Sequence, residues 1–197
     1  MILDLLKKRY SCREFSEKII TKDILNYMLE CARLSSSGGN EQPWKFGVIT
    51  DRKLIEKISE AASVNYNQAW IAKAPLIIVL CTQLFDTPLG KMDFNRFPSK
   101  YCQLEQMDKS LHSIINMEEH QTKIPGEHMV IAALEHGIYS TWISSMDCEK
   151  VGDIIGIKGY LVTNIIVFGY PKELKEVTPK KDLKNITFTN HFDNIGV

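Results

Sequence analysis

Two short apolar runs constrain this chain most: Leu76-Ile77-Ile78-Val79-Leu80-Cys81 and Leu161-Val162-Thr163-Asn164-Ile165-Ile166-Val167-Phe168. Both are rich in β-branched residues, and neither is long enough to read as a buried helix. The first also lacks the polar alternation of a strand with one wet face, so both read as strands buried on both faces. Gly169 and Pro171 stop the second run.

The helices that would cover such strands have their own signals. Ile2 to Lys8 reads as a short helix carrying Leu3, Leu5 and Leu6. Thr21 is placed to cap a second helix, with Asp23 in its first turn and Ile24, Leu25, Met28, Leu29 and Ala32 at helical spacing. Lys45 to Thr50 reads as a strand, after which Asp51 caps a helix with Leu54, Ile55, Ile58, Ala61 and Ala62 on its apolar face. Gly126 to His136 carries Met129, Val130, Ala132, Ala133 and Leu134 and predicts an internal helix, with Pro125 and Gly126 breaking the helical stretch before it. Asn185 to Asn190 alternates like a strand. The predicted class is therefore α+β.

At 197 residues and 44% hydrophobic content, the chain is expected to be a single domain spanning 1–197. Its 24 basic and 24 acidic residues cancel, which argues against nucleic acid or an anionic membrane as a partner. The longest apolar run falls far short of the roughly 20 residues that span a bilayer, and no signal-peptide core precedes it, so a cytoplasmic protein is expected. Cys12, Cys31, Cys81, Cys102 and Cys148 are widely spaced without a C-x-x-C pair and read as reduced thiols. His112, His120, His128 and His136 recur every eight residues, but eight helical steps leave successive side chains about 80° apart, so no metal site is expected from them.

Residues 84–110 differ from the rest. Pro88, Gly90 and Pro98 interrupt a stretch holding Phe85, Phe94, Phe97 and Tyr101, which reads as an insertion: either a lid over a site or a surface excursion pinned by its own aromatics.

Two polar segments carry the chemistry. Ser35 to Trp44 packs hydroxyls, two glycines and a ring into a loop after a helix, a composition that can wrap a polar planar ligand. Arg9-Tyr10-Ser11-Cys12-Arg13 places two guanidinium groups around a hydroxyl, suited to a phosphate and the polar edge of a ring. No acid, base or nucleophile pair stands out.

Five features in order resemble the nitroreductase family of FMN enzymes: the Arg-x-Ser-x-Arg turn, the Ser-Gly-x-Asn-x-Gln-Pro-Trp loop, Ala74-Pro75 before a buried strand, the Gly137 to Ile143 segment with Trp142-Ile143, and Gly169-Tyr170-Pro171. The resemblance implies a three-layer α-β-α fold with a mixed, mainly antiparallel sheet. It also implies an intertwined homodimer with FMN at the subunit interface, NADH or NADPH as electron donor, and a small planar acceptor reduced by ping-pong hydride transfer through flavin N5. A nitroaromatic, a quinone or an activated alkene would serve as acceptor. A reductive dehalogenase, a flavin-fragmenting enzyme and a non-catalytic flavin-binding protein are the alternatives within reach of the same features.

Residue by residue, the resemblance assigns Arg9, Tyr10 and Ser11 to the phosphate and ribityl end and Arg13 to the pyrimidine edge, where a positive charge favours the reduced ring. Ser36, Ser37 and Asn40 contact the cofactor from the other subunit. Ser35-Ser36 replace an Ala-Pro common in relatives. Asn67 and Gln68 fall where relatives place an amide or lysine near the pyrimidine end. Trp142, Ile143, Ser144 and Ser145 lie against the ring, with the backbone N–H of Ser144 or Ser145 directed at N5; a plain core strand is the alternative for Trp142 and Ile143. Lys180 and Lys181 match a basic pair that reaches the phosphate, or else form a solvated basic surface. Gln42, Pro43 and Trp44 read as structural, with Trp44 anchoring the next strand in the core. Residues 183–197 read as a dimer arm.

Overall fold

The computed structural model describes residues 1–63, 67–83 and 119–190. The two apolar runs form the central pair of a four-stranded sheet: β1 (Trp44–Ile49), β2 (Leu76–Gln83), β3 (Tyr139–Ile143) and β4 (Tyr160–Gly169), in the order β1-β2-β4-β3. All three strand pairings are antiparallel. The parallel component is an isolated bridge between Ser11 and Ser140 on the outer edge of β3.

Alternation along β2 sorts the core into two layers. Ile77, Val79 and Cys81 join Ile165 and Val167 of β4 on one face, covered by Ile55, Ile58, Ala61 and Ala62 of α3 (Arg52–Ala62) and Val151 of α5 (Cys148–Ile155). Leu76, Ile78 and Leu80 join Ile166 and Phe168 on the other, beneath Met28 and Ala32 of α2 (Lys22–Arg33) and Met129, Val130, Ala132 and Ala133 of α4 (Glu119–Glu135). Each fully buried Ile, Leu or Val contributes roughly 1.5–3 kcal/mol. A two-sided strand pair gathers more of these than any other element, so the three-layer α+β architecture follows from it.

The helix caps match the sequence reading. Thr21 Oγ1 accepts from Ile24 N at 3.5 Å and Asp51 Oδ1 from Leu54 N at 2.9 Å, and a further cap not read from the sequence is Asp147, whose Oδ1 accepts from Lys150 N at 2.9 Å. The first helix, α1 (Ile2–Lys8), also forms where expected but buries no residue completely. Among the described residues no helix is long and apolar enough to cross a membrane.

Three expectations need correction. Pro125 does not stop a helix; it lies inside α4, which begins at Glu119. The proline removes one backbone donor, but its neighbours fix both sides of the break. Thr122 is buried and bonded to Thr163 of β4 at 3.0 Å, and Gly126 is packed beneath Trp142. The expected strand at Asn185 begins instead as a 3-10 turn at Leu183–Asn185 with exposed Leu183 and Ile186, and strand pairing over 185–190 is limited to a single bridge at Phe188. Trp44 is half-buried at the start of edge strand β1, stacked on Phe46 with ring centroids 6.4 Å apart, and is not in the core. The insertion at 84–110 and its aromatics lie outside the described residues.

Gly126 is required by close approach: a Cβ there would fall 2.4 Å from Trp142 Cη2 and 2.9 Å from Leu80 Cδ1. Gly126→Ala is expected to destabilise the protein by about 1–3 kcal/mol through overpacking, read from the midpoint of urea unfolding. An unchanged midpoint would show that Trp142 can move aside.

Candidate functional site

The arginine turn is fastened along the free edge of β3. Cys12 N donates to Ser140 O at 3.1 Å, and Thr141 Oγ1 donates to Cys12 O at 2.5 Å. Beneath it, Tyr10 and Tyr139 pack with ring centroids 4.7 Å apart. The segment after β4 then runs back over the turn. Phe15 bridges Pro171, Ser16 N donates to Tyr170 O at 2.8 Å, Lys172 N donates to Glu14 O at 3.0 Å, and the Tyr10 hydroxyl donates to Glu173 O at 3.1 Å. Residues more than 150 positions apart in sequence are thereby joined.

Between these two segments lies a pocket of about 420 Å³, lined by Arg9, Tyr10, Ser11 and Arg13 from the turn and by Lys175, Glu176, Thr178 and Lys180 from the returning chain. Its electrostatics are set by what is buried and what is not. Burial pushes the phenol of Tyr10, which lines the pocket, and the Cys12 thiol and Tyr139 phenol clustered with it above their ordinary pKa values, so this cluster is uncharged at neutral pH. The charge sits at the rim. Lys175 pairs with Glu14 at 3.0 Å, and that hydrogen bond holds the Glu14 carboxyl below its usual range. Four cations and a serine hydroxyl against one lining carboxylate, Glu176, form a donor set that fits an anionic oxygen cluster such as a phosphate.

The structure brings Arg9, Tyr10, Ser11, Arg13 and Lys180 to one pocket. Lys181 is exposed and is not among the residues lining this pocket. Arg13 also lies over the Trp70 ring, 6.0 Å from its centroid, and so points toward the connection between α3 and β2. A larger cleft of about 670 Å³ lies elsewhere, among Phe15, Ile20, Leu25, Arg52 and Pro75. Arg52 there is committed to the carbonyls of Ala72 and Ala74, whereas the converging donors are in the smaller pocket.

The serine and glycine loop does not line the basic pocket of its own chain. Ser35 is buried and bonded to His128 Nδ1 of α4 at 2.7 Å, which anchors the start of the loop on that helix. Past that anchor the loop holds its own shape. Ser37 Oγ accepts from Gln42 N at 3.0 Å, Gln42 Nε2 donates to Asn40 O at 3.2 Å, and Gly39, Asn40 and Gln42 all have left-handed φ near +50° to +58°. Ser36 and Asn40 are exposed.

At the far end of β3, Ile143 is buried, and Trp142 is half-buried with its indole N–H donating to Glu127 at 3.3 Å. Ser144 follows, exposed, and Ser145, half-buried. Gln68 differs from the expected ligand: it is buried, and its amide N–H groups go to Ala62 O at 2.6 Å and Ser145 O at 3.2 Å, so it braces the serine turn from below. Asn67 is exposed, and its side chain accepts from Ala69 N at 3.3 Å.

Sequence reasoning passed over Lys175, Thr141 and Asn164. Nothing local marks Lys175. The polar pair Thr163-Asn164 inside an otherwise apolar strand was a legible signal for Asn164. Among the described residues no group of three His, Cys, Asp or Glu could hold a metal ion.

Comparison with known proteins assigns the class. Residues 6–170 match the model of the nitroreductase family, and the chain belongs to that family. It is therefore an oxidoreductase by lineage. An oxygen-insensitive NADPH nitroreductase of Helicobacter pylori strain J99 is 37% identical over 164 residues, covering 77% of each chain. A protein of Archaeoglobus fulgidus provisionally named NADH dehydrogenase/NAD(P)H nitroreductase is 27% identical over 188 residues, covering 93% of this chain and 92% of its own. Among solved structures, an FMN-dependent nitroreductase of Clostridium difficile R20291 superposes with a TM-score of 0.73 at 20% identity, covering 96% of this chain and 99% of that one.

The burial pattern makes a chemical prediction for the thiols. Cys12 and Cys81 are buried, and burial pushes the Cys81 thiol up to about 12, whereas Cys31 and Cys148 are half-buried. Brief iodoacetamide treatment of the native protein should label Cys31 and Cys148 before Cys12 and Cys81 by peptide mass spectrometry. Early labelling of Cys81 would contradict the packing of β2.

Proposed function

We propose that this chain is an FMN-dependent NAD(P)H oxidoreductase that reduces a nitroaromatic, a quinone or a related planar acceptor. The observation that carries this reading is the convergence of Arg9, Ser11, Arg13 and Lys180 on one pocket beside β3. The relatives' names agree with it: the Helicobacter pylori protein is an NADPH nitroreductase and the Clostridium difficile protein is FMN-dependent. The whole chain, 1–197, is read as one FMN-binding domain of a cytoplasmic enzyme.

FMN when bound would supply the redox chemistry, accepting a hydride at N5 from NADH or NADPH and passing it to the acceptor after the nicotinamide has left. The chain's own residues bind and orient. Arg9, Ser11 and Lys180 hold the phosphate and ribityl end by charge-assisted hydrogen bonds, each worth roughly 1.5–3 kcal/mol when well aligned. Arg13 presents positive charge to the ring's polar edge, held over Trp70. Ser144 and Ser145 supply a backbone N–H toward N5. Lys181 extends the basic rim from solvent.

A second copy of the chain completes the site. Ser36, Ser37 and Asn40 lie on a loop that does not line its own chain's basic pocket, which suits a loop serving the partner's. The exposed apolar side chains support the same assembly: Ile2 and Leu3 on α1 are 60% and 57% exposed, and Phe188 in the tail is 55% exposed. Residues 183–197 act as the dimer arm, for which β1 offers a sheet edge unpaired among the described residues. Residues 84–110 act as a lid over the acceptor site.

Stopped-flow mixing of the purified yellow protein with NADH and with NADPH should bleach the flavin with at least one of them; no bleaching with either would favour a non-catalytic flavin protein. Replacing Arg9 and Arg13 together by alanine is expected to release FMN on gel filtration, and full retention would contradict their roles. Ending the chain after Asp182 should lower the mass found by light scattering and reduce bound FMN together. An unchanged mass would refute the arm.

A further inference from the structure

Asn164 is fully buried in the middle of β4, in a strand whose other inward residues are Val162, Ile165, Ile166, Val167 and Phe168. It reaches its position through a β-bulge. Leu80 of β2 pairs with Asn164 and Cys81 pairs with Val162, so Thr163 is an extra residue on β4. A bulge lets two successive side chains face the same layer. Thr163 Oγ1 meets Thr122 of α4, and Asn164 keeps the alternation of Ile166 and Phe168, which face that same layer.

From there, Asn164 Nδ2 donates to Ser144 Oγ at 2.8 Å, while its Oδ1 is buried without a hydrogen-bond partner. Reversing the amide would leave the NH2 group in that unpaired position, and an orphaned donor is the rarer and costlier case. An apolar residue here would avoid both the buried amide and its unpaired oxygen. Among the described residues, the one side-chain hydrogen bond Asn164 makes is to the turn after β3.

That turn is held from a second side by Gln68, which donates to Ser145 O at 3.2 Å and to Ala62 O at 2.6 Å. The two clamps bracket one peptide unit. Asn164 fixes the side chain of Ser144, Gln68 fixes the carbonyl of Ser145, and the peptide between the two residues carries the Ser145 N–H.

We infer that Asn164 is a positioning residue that acts through the Ser144 hydroxyl to orient the Ser144-Ser145 peptide toward the redox centre. This rests on the functional reading above, in which that turn faces flavin N5. It also explains what a serine does at 144: its hydroxyl oxygen is turned to the sheet as an acceptor, and its single hydrogen is left to point away from Asn164. Preorganised donors act because they need no rearrangement when charge develops, and a loosened peptide loses that advantage without losing the phosphate grip.

The test compares wild type, Asn164→Leu and Ser144→Ala. Ser144 is exposed, so its alanine variant breaks the same contact without disturbing the core. Two readouts are taken. In the FMN-free proteins, amide hydrogen exchange over residues 144–147 should quicken in both variants. In the FMN-loaded proteins, flavin bleaching by NAD(P)H should slow at least ~10-fold with KM for the nicotinamide and FMN retention little changed. A purely structural role predicts altered thermal stability with unchanged bleaching. Unchanged exchange and unchanged bleaching in a yellow Ser144→Ala protein would overturn the inference and leave the functional reading standing. A wild-type protein that takes up no FMN would overturn both, and the colour of the wild type tells the two failures apart.

Discussion

The antiparallel pairing of β2 with β4 is the constraint from which the rest follows. Both strands are apolar on both faces, so neither can sit at a surface, and each face must be covered by helices. α3 and α5 take one side; α2 and α4 take the other. With the two central places filled, β1 and β3 become edges, and the outer edge of β3 is the one beside which the basic pocket forms.

That edge does two things at once. Along its length it accepts the arginine turn through Ser140 and Thr141, and at its end it delivers the Ser144-Ser145 turn. The cation cluster and the backbone donors therefore share one rigid strand, which fixes their separation better than two loops could. The chain closing over the turn contributes Lys175 and Lys180, so the pocket exists only when the beginning of the chain and the segment after β4 are both in place. Individually these surface charges stabilise the fold little, as exposed pairs do. Together they make a positive field at one pocket, which the proposed function assigns to a phosphate.

Much of this was legible in the sequence. The double-sided strands, the caps at Thr21 and Asp51, the internal helix at Met129 to Leu134 and the basic turn at Arg9 to Arg13 all rest on local pattern or motif, whereas which of Lys180 and Lys181 reaches that turn depends on the path of the chain after β4. What was not legible depended on partners far away in sequence. Pro125 signals a helix end by itself; that it sits inside α4 depends on Thr122 and Gly126 packing against β4 and Trp142. Gln68 has the chemistry of a cofactor ligand, but its amide is directed at Ala62 and Ser145 once α3 and β3 come together. The alternation at 185–190 has the period of a strand, but its first residues close into a 3-10 turn and pairing there is limited to a bridge at Phe188. Propensity in these cases yielded to tertiary context.

In the proposed enzyme, two copies of this chain enclose FMN between a basic cradle from one and a polar loop from the other. Sedimentation velocity followed at both the protein and the flavin absorption bands tests it most directly. The account predicts one boundary, at the mass of a dimer, in which flavin moves with protein in stoichiometric amount. A colourless boundary at the mass of a single chain, unchanged after FMN is added, would contradict it.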